Sequence, residues 1–583
     1  MIGLLGTRRL HHLAAFLAGF CFLTAAPVIA QQAGKGANNN KIAKGKKPPP
    51  QRATQVAPPA PKSALRTQKT WDNISRQPLQ RGEIDQLIAK ELQGNKIEAA
   101  RLTNDEQFIR RVTLDLTGQL PVPAEVKDFA NTSDPDKRAK LVDKLLASDE
   151  FAAHWAKYWR DVIAARITDR RGMLLARPFE AWLTREFKKS EGWDKIVRAM
   201  LCADGPCQID DDGTHGAAFF LASHFGPDAA VEQAAEASRL FLGIQIQCAQ
   251  CHDHPSDQWK RVQFHQLVGY FARLRERPVR TDGRPSGIEL ISLPRGEHEM
   301  PSKEDPRKTL LTPPRFLDGT APGANLTDKA RRRALADAIV SKKNCWFAAS
   351  YINRIWGELM GQSFYQPVDD MGPGKPAVFG SVLTRLTGAF QGTNYDVKET
   401  FRAIVKSDTY QRQIRLGEST DQHLHFAAAY PTRLRAEALW ESLVGVLGAL
   451  GNSPPAQRPG PDVLYNLRAG LEGAFKQEFS FDPSLKADEV EGSVSQALLM
   501  MNNPTINQRI EAKGTNLLAR ILNTYPDDGE AIKMVYLRTL ARKPTDREME
   551  RCRDYVAKAE VRETAFEDIL WALLNSTEFQ TKR

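Results

Sequence analysis

Apolar residues at helical spacing run through most of this chain and are interrupted once, and this pattern constrains the fold more than any other feature. Beyond Gly82 the apolar positions follow residue types that cap helices, such as Asp134-Pro135, an N-cap followed by proline at the first helical position. Between residues 277 and 314 the helical spacing disappears, prolines recur and residues 287–293 look like a short strand. A chain of 583 residues is also too long for one hydrophobic core. The sequence therefore predicts a mainly α protein, with two helical bundle domains joined by an irregular connector that contains a small β-hairpin.

The segment boundaries follow from the same changes in composition. The second helical block starts near residue 325 and is expected to break around residues 452–460 and 482–492. The predicted segments are a signal peptide (1–30), a disordered basic Lys/Pro-rich linker (31–70), a first helical domain (71–276), the connector with short strands (277–315) and a helical C-terminal domain (316–583).

The first thirty residues have the parts of a secretion signal. Arg8 and Arg9 give a positive start, residues 13–26 are apolar, and residues 28–30 offer a small-residue cleavage site. The apolar stretch of roughly 14 residues falls short of the ~20 that span a bilayer, so a permanent membrane anchor is the weaker alternative. We expect export to the periplasm or cell surface and no transmembrane segment in the mature chain.

The excess of basic charge is confined to the first seventy residues. Eleven of the 81 basic residues lie there without any acidic residue, so the remaining 70 basic residues balance the 70 acidic ones. A neutral folded part argues against nucleic-acid binding. The lysines and prolines of residues 31–70 cannot form a core, and they predict either a solvated spacer or a contact with anionic envelope polymers or lipid headgroups.

Three separated segments, residues 145–151, 404–410 and 573–579, share one pattern of two apolar residues, any residue, serine, two residues and an aromatic. A helix that ends and a serine-capped helix that begins would explain each copy. We interpret these segments as structural joints and not as sites. Residues 545–548, Thr-Asp-Arg-Glu, have the pattern of a capping box.

Six cysteines remain if the signal peptide, with Cys21, is removed. Cys202 and Cys207 enclose a Gly-Pro turn, and in an oxidising compartment they are a candidate for a short structural disulfide. Cys345 and Cys552 stand apart in the sequence, and spacing does not decide between buried thiols and a long-range bridge.

The pentapeptide Cys248-Ala-Gln-Cys251-His252 is the most specific chemical feature of the chain. Two thiols three residues apart can add across the two vinyl groups of haem, and the histidine that follows is placed to ligate the iron. Cys248 and Cys251 are therefore predicted to anchor haem c, with His252 as the iron ligand. Two alternatives stay open. Together with His254 these side chains can bind zinc or iron directly, or the two cysteines can form a disulfide beside a packed histidine.

A second axial ligand for the iron is harder to predict. His254 and His265 are the candidates within reach along the sequence, and His224 and Met300 are remote ones. His254 is too close to His252 to reach the opposite face without a turn, so His265 is preferred.

Two other clusters are weaker candidates. Trp155 and Trp159 lie one helical turn apart and are expected to pack in a core. Asp369 and Asp370 place two carboxylates in a loop, where a turn with helix-capping aspartates is favoured over a cation site or acid/base chemistry. The sequence contains no phosphate-binding glycine loop, no Gly-x-Ser-x-Gly elbow and no His-Glu-x-x-His helix, so familiar hydrolase signatures are absent.

Several motifs resemble a pair of known secreted domains. The planctomycete cytochrome-associated secreted domain is similar to residues 110–118 (RRVTLDLTG), 140–148 (KLVDKLLAS) and 241–255 (FLGIQIQCAQCHDHP), with Trp259. Its usual partner, the planctomycete secreted domain of unknown function, is similar to residues 353–356 (NRIW), 367–370 (PVDD), 434–437 (LRAE), 503–509 (NPTINQR) and 571–576 (WALLNS).

The resemblance covers roughly residues 75–580 and implies membership of a family of unknown function, in which haem binding is inferred from the Cys-x-x-Cys-His pattern. Many relatives carry an additional N-terminal cytochrome domain, and this chain has the Lys/Pro-rich tail in its place. That departure argues against a relay of several haems.

We therefore expect an exported cell-envelope protein with one c-type haem, used for electron transfer or a haem-linked oxidation with a redox or envelope partner. The main alternative is an envelope binding or assembly protein with a structural cysteine motif. The other is a metal-dependent enzyme acting on extracellular polymers.

Overall fold

The computed structural model of the protein describes residues 56–57, 71, 74–167, 170–305, 307–415, 425–450 and 470–582. The predicted signal peptide, the break predicted at 452–460 and all of the predicted linker except Val56 and Ala57 lie outside these residues. The Ala57 amide donates a hydrogen bond to the Leu311 carbonyl at 2.8 Å. All described residues fall in one compact unit of the chain.

Helices make up most of the described structure, which confirms the mainly α prediction. Short 3-10 turns lie between some of the helices, at Arg170–Leu175, Gly216–Ala218 and Ile246–Gln250. The helices before the strands of the connector are α1 (Glu83–Gly94), α2 (Asp105–Thr117), α3 (Pro123–Asn131), α4 (Lys137–Ala147), α5 (Asp149–Ala164), α6 (Ala176–Lys188), α7 (Trp193–Cys202), α8 (Phe219–Ala222), α9 (Ala229–Leu242) and α10 (Arg261–Val268).

A second series of helices follows the connector and runs to the end of the described chain. Its members are α11 (Asp328–Val340), α12 (Cys345–Met360), α13 (Gly380–Gly392), α14 (Val397–Val405), α15 (Ala436–Leu447), α16 (Leu471–Phe479), α17 (Val494–Asn502), α18 (Pro504–Ile510), α19 (Leu517–Thr524), α20 (Asp528–Leu540), α21 (Asp546–Lys558), α22 (Arg562–Leu574) and α23 (Thr577–Gln580). Between α16 and α17 the described chain is irregular apart from the 3-10 turn Ala487–Glu489, which confirms the break predicted at 482–492.

The connector contains more strand than the predicted hairpin. Strand β1 (Gly205–Gln208) comes from the segment after α7, and it pairs with the hairpin of β2 (Leu274–Thr281) and β3 (Arg284–Ser292) in an antiparallel sheet of order β1-β3-β2. β4 (His298–Pro301) pairs with β5 (Thr309–Thr312), and β6 (Thr432–Arg433) pairs with β7 (Thr581–Lys582). The short β1, Gly-Pro-Cys-Gln, has no alternation of apolar and polar residues that would predict a strand. It is extended because it pairs with β3.

Two hydrophobic clusters form the interior. The larger cluster combines side chains from before and after residues 277–315, so helices on both sides of the connector share it. Trp155 and Trp159 lie in this cluster at 1% and 2% exposure, and the rings of Trp159 and Trp193 are 4.2 Å apart between centroids, which confirms that they pack in a core. The smaller cluster is built from α15 to α23 together with Leu114. The predicted domain boundaries stay predictions.

The three serine joints have one geometry. The hydroxyls of Ser148, Ser407 and Ser576 each donate to the carbonyl three residues earlier, at 2.8, 2.7 and 2.6 Å, and accept from the amide three residues later, at 3.2 Å in every copy. The aromatic side chain that ends each joint, Phe151, Tyr410 or Phe579, is fully buried. The joints are confirmed as structural, although the chain after Ser407 continues as a turn and not as a helix.

Helix α4 starts later than predicted. Its first residue is Lys137, because the Asp134 carboxylate accepts from the Asp136 amide at 2.9 Å and holds a turn ahead of the helix. The capping box is confirmed, since the Glu548 amide donates to Thr545 Oγ1 at 3.3 Å and the Thr545 amide donates to Glu548 Oε2 at 2.7 Å. Within the described residues, no helix is both long enough and apolar enough to cross a membrane.

Candidate functional site

The Cys-x-x-Cys-His motif follows the end of helix α9. This helix ends at Gly243, whose φ of 69° lies in the left-handed region, and a Cβ there would come within 2.5 Å of Met371 Sδ. Only glycine meets both conditions without strain. The chain then forms the 3-10 turn Ile246–Gln250, which carries Cys248. We call residues 246–254 the cysteine loop.

The cysteine loop has one buried side and one exposed side. Ile246 and Ala249 are fully buried, and they fix the turn to the larger core. Cys248, Cys251 and His252 are all exposed. The three side chains predicted to act together are therefore on the solvent side of a turn whose apolar side is held by packing.

Hydrogen bonds from helix α10 also hold the loop. The Gln250 carbonyl, between the two cysteines, accepts from His265 Nε2 at 3.0 Å and from Arg261 Nε at 3.2 Å. The Asp253 carboxylate accepts from the Arg261 amide at 3.0 Å and from Lys260 Nζ at 3.1 Å, and these two bonds lower the pKa of Asp253. The middle of the pentapeptide, at Gln250, and the residue that follows it, Asp253, are thus held by side chains and backbone of helix α10 and the residue before it.

The two histidines of the loop differ in what they offer a metal. His252 Nδ1 lies 2.7 Å from the Asp253 carbonyl and donates to it, while no described residue bonds its Nε2. His254 uses both ring nitrogens, since Nε2 donates to the Gln245 carbonyl at 3.2 Å and Nδ1 accepts from the Ser256 amide at 3.3 Å. His252 therefore presents the free nitrogen that an iron ligand needs, and His254 does not.

The other candidate iron ligands lie inside the protein. His265 is 4% exposed, and its second ring nitrogen, Nδ1, is hydrogen-bonded to His298 Nε2 at 2.8 Å. Burial lowers the pKa of both histidines to about 4. His224 and Met300 are 1% and 6% exposed. None of these groups is presented to solvent beside the cysteines.

The alternative of direct metal binding finds no preformed cluster. Among the described residues, no three His, Cys, Asp or Glu side chains are grouped so that they could hold a metal ion. No disulfide joins any of the six described cysteines, so Cys248 and Cys251 are free thiols here. Cys202 ends α7 and Cys207 lies buried in β1, where burial raises the pKa of its thiol to about 12. Their disulfide stays a prediction.

Behind the cysteine loop, Asp369 belongs to a buried network of charges. Its carboxylate accepts from Arg239 Nη1 at 2.6 Å and from the Gln245 side chain at 3.0 Å, and Arg354 Nη2 lies 3.6 Å away. Burial alone would raise the pKa of Asp369, but the charges of Arg239 and Arg354 outweigh it and hold the pKa well below its ordinary value. Gln245 also bonds His254 through its carbonyl, and so connects this network to the loop.

Asp369 and Asp370 do not form a paired-carboxylate site. Asp369 makes ion pairs with Arg239 and Arg354, and Asp370 makes an ion pair with Lys375. The predicted turn is present, because the Asp370 amide donates to the Pro367 carbonyl at 3.1 Å. The predicted helix capping is wrong, since no helix begins after either aspartate until α13 at Gly380.

Two further buried networks involve residues from the quoted motifs. Arg435 donates to Glu358 at 2.5 Å, and Lys582 reaches the same carboxylate at 2.9 Å. Burial would raise the pKa of Glu358, but these two cations lower it to about 2. Arg160 pairs in the same way with Glu437 at 2.8 Å. Residues of three motifs thus lie in buried ion pairs that the sequence did not predict: Arg354 of NRIW with Asp369 of PVDD, and Arg435 of LRAE with Glu358.

Comparison with known protein families assigns both halves of the chain. Residues 83–276 match PSCyt2, described as a protein of unknown function (DUF1549), and residues 331–556 match PSD1, described as a protein of unknown function (DUF1553). No curated protein and no solved structure matches the chain. The two matches occur in the order that the motifs predicted.

Proposed function

We propose that this chain, which belongs to the PSCyt2 family through residues 83–276 and to the PSD1 family through residues 331–556, is an exported cell-envelope protein that carries haem c on its cysteine loop. Cys248 and Cys251 are the proposed thioether anchors. His252 is the proposed iron ligand.

One observation carries this proposal: Cys248, Cys251 and His252 are exposed together on a turn that is fixed from behind. In thioether formation each S–H adds across a vinyl C=C bond, so nothing leaves, and the thiols have to be reachable from solvent. His252 Nδ1 donates to the Asp253 carbonyl, so its proton is on Nδ1. This tautomer leaves Nε2 free to bind iron.

The residues of the loop have separate tasks in this proposal. The thiols hold the group, His252 orients it, and Arg261 and His265 keep the backbone between the thiols in place through the Gln250 carbonyl. Bound haem would supply one-electron and oxygen chemistry at the protein surface.

A haem-linked oxidation is favoured over simple electron transfer by the positions of the other candidate ligands. His254 has no free ring nitrogen, and His265, His224 and Met300 are buried. Of the candidates, His252 is thus the one with a free ring nitrogen at the loop, and a haem held by His252 and the two thiols would supply oxygen chemistry there.

A second candidate function is an envelope binding protein with a structural cysteine loop. It is favoured by the packing of Ile246 and Ala249 in the core and by the hydrogen bonds of Arg261 to the loop, which are contacts expected of a structural element. Replacement of Cys248 and Cys251 by alanine would then leave binding intact as long as the loop stays folded.

The test is the absorption spectrum of the denatured protein after export in a host with the cytochrome c maturation machinery. We expect a haem band that stays with the polypeptide, that falls sharply in Cys248→Ala, and that persists in the matched control Cys202→Ala. A colourless wild-type protein, beside a control cytochrome that matures normally, would refute haem attachment and favour the binding protein.

A further inference from the structure

A small cavity next to Asp369 has cationic walls. It has a volume of about 70 Å³ and lies between α5, α12 and the chain that joins α16 to α17. Its charged lining residues are four cations and one carboxylate: Arg354, Arg433, Arg435, Lys486 and Glu358.

Arg354 is the most deeply buried of these cations. It is 3% exposed, and its Nη1 is buried without a hydrogen-bond partner among the described residues. Its carboxylate neighbour Asp369 lies 3.6 Å from Nη2 and is held more closely by Arg239, at 2.6 Å. An unmatched donor on a buried guanidinium is costly, so an acceptor in the cavity, whether a water molecule or an anion, would stabilise it.

Arg433 is the second incompletely matched cation. Its Nη2 donates only to neutral amides, the Oε1 atoms of Gln496 and Gln580, both at 3.2 Å. Among the described residues, no carboxylate is paired with its guanidinium. Burial lowers the pKa of Arg433 because nothing nearby compensates its charge.

Arg435 and Glu358 form the fixed wall of the cavity. They neutralise each other, with Lys582 on the same carboxylate, and the Arg435 guanidinium lies over the rings of Tyr158 at 4.6 Å and Phe481 at 5.4 Å. Arg354 and Arg433 are therefore the two guanidinium groups of the lining that can still donate hydrogen bonds to an anion.

We propose that the cavity binds an oxyanion, a carboxylate or a sulfate, between the guanidinium groups of Arg354 and Arg433. A guanidinium presents planar pairs of N–H donors that match the oxygens of such anions. At about 30 Å³ per molecule the volume has room for about two water molecules, so it takes the charged head of a ligand and leaves the rest of a larger molecule outside. This site is independent of haem on the cysteine loop.

The test is isothermal titration calorimetry on the full mature protein with sodium sulfate and, separately, sodium glucuronate, at an ionic strength held constant with sodium chloride. Sulfate represents a free inorganic anion, and glucuronate represents a carboxylate carried on a sugar. We expect saturable binding of at least one of them, and the tighter of the two identifies the source of the ligand.

Arg433→Gln is the decisive variant because Arg433 has only amide partners and its replacement strands no buried carboxylate. We expect it to weaken binding about tenfold or more, the effect of losing one charge-assisted hydrogen bond. Arg354→Lys should do the same, since it keeps the charge and loses the planar donors.

Arg538→Gln is the matched control. Burial also lowers the pKa of Arg538, and this side chain donates to the Gly445 carbonyl, away from the lining of the cavity. Its replacement should leave binding unchanged. The proposal is overturned if neither anion binds the wild-type protein, if Arg433→Gln binds as the wild type does, or if Arg538→Gln weakens binding as much as Arg433→Gln.

Discussion

The pair of buried His265 and partly buried His298 should make the protein lose stability as the pH falls below neutral. Their rings are stacked with centroids 5.0 Å apart, and His298 Nε2 donates to His265 Nδ1 while His265 Nε2 donates to the Gln250 carbonyl. Both rings are neutral in this chain of bonds. Burial lowers the pKa of each to about 4, from an ordinary value of 6.5.

The sign of the effect follows from which state takes up protons first. Below pH 6.5 the unfolded chain protonates both histidines, while the folded protein stays neutral there until about pH 4, so stability falls across this window and stays lost below it. At pH 5 the difference amounts to about 2 kcal/mol for each histidine. Because the pair titrates as a unit, the combined loss between pH 7 and pH 5 should be about 2–4 kcal/mol.

The assay is equilibrium urea unfolding at pH 7 and pH 5, with His298→Gln compared with the wild type. The glutamine can still donate to His265 but does not titrate, so the loss on acidification should shrink by about 2 kcal/mol. Met300→Ala is the control, because it removes a buried side chain from the same strand, β4, and should lower stability equally at both pH values. An unchanged pH dependence in His298→Gln would refute the reasoning.

Two further changes test the scaffold. Ser407→Ala removes the hydroxyl that accepts from the Tyr410 amide and should cost about 1 kcal/mol in the free energy of unfolding, measured by urea titration; no loss would mean that the two serine bonds do not stabilise the joint. Asp369→Asn leaves Arg354 without its carboxylate and Arg239 with Glu236 alone, and it should cost about 3–5 kcal/mol in the same measurement. Asp370→Asn, whose partner Lys375 is only partly buried, should cost less than about 1 kcal/mol, and equal losses in the two variants would contradict the buried network.

Features set by neighbours in the sequence could be predicted, and features set by distant partners could not. The hydroxyl of Ser148 bonds groups three residues away on each side, so its pattern identifies the joint directly. His298 lies 33 residues from His265, and Arg239 lies 130 residues from Asp369. Such pairs leave no periodic signal, because their geometry depends on how the helices pack.

The same distinction applies to the site. The spacing of Cys248, Cys251 and His252 predicted one group of side chains, and the structure presents them together on one exposed loop. The sequence favoured His265 as a second iron ligand, which stays a prediction; in the structure His265 is buried and bonds the Gln250 carbonyl of the loop. The spacing of apolar residues shows which side of a helix faces the interior. It does not show which loop that side contacts.

Covalent haem on the cysteine loop is the central proposal, and peptide mass spectrometry tests it most directly. The exported protein would be digested after maturation, and the peptide that contains residues 248–252 would be weighed against the same peptide from Cys248→Ala, Cys251→Ala. We expect a wild-type peptide heavier by one whole haem, because both thiols add without loss of atoms, and a variant peptide without it. A wild-type peptide recovered at its unmodified mass, or two mass units lighter from a disulfide, would contradict it.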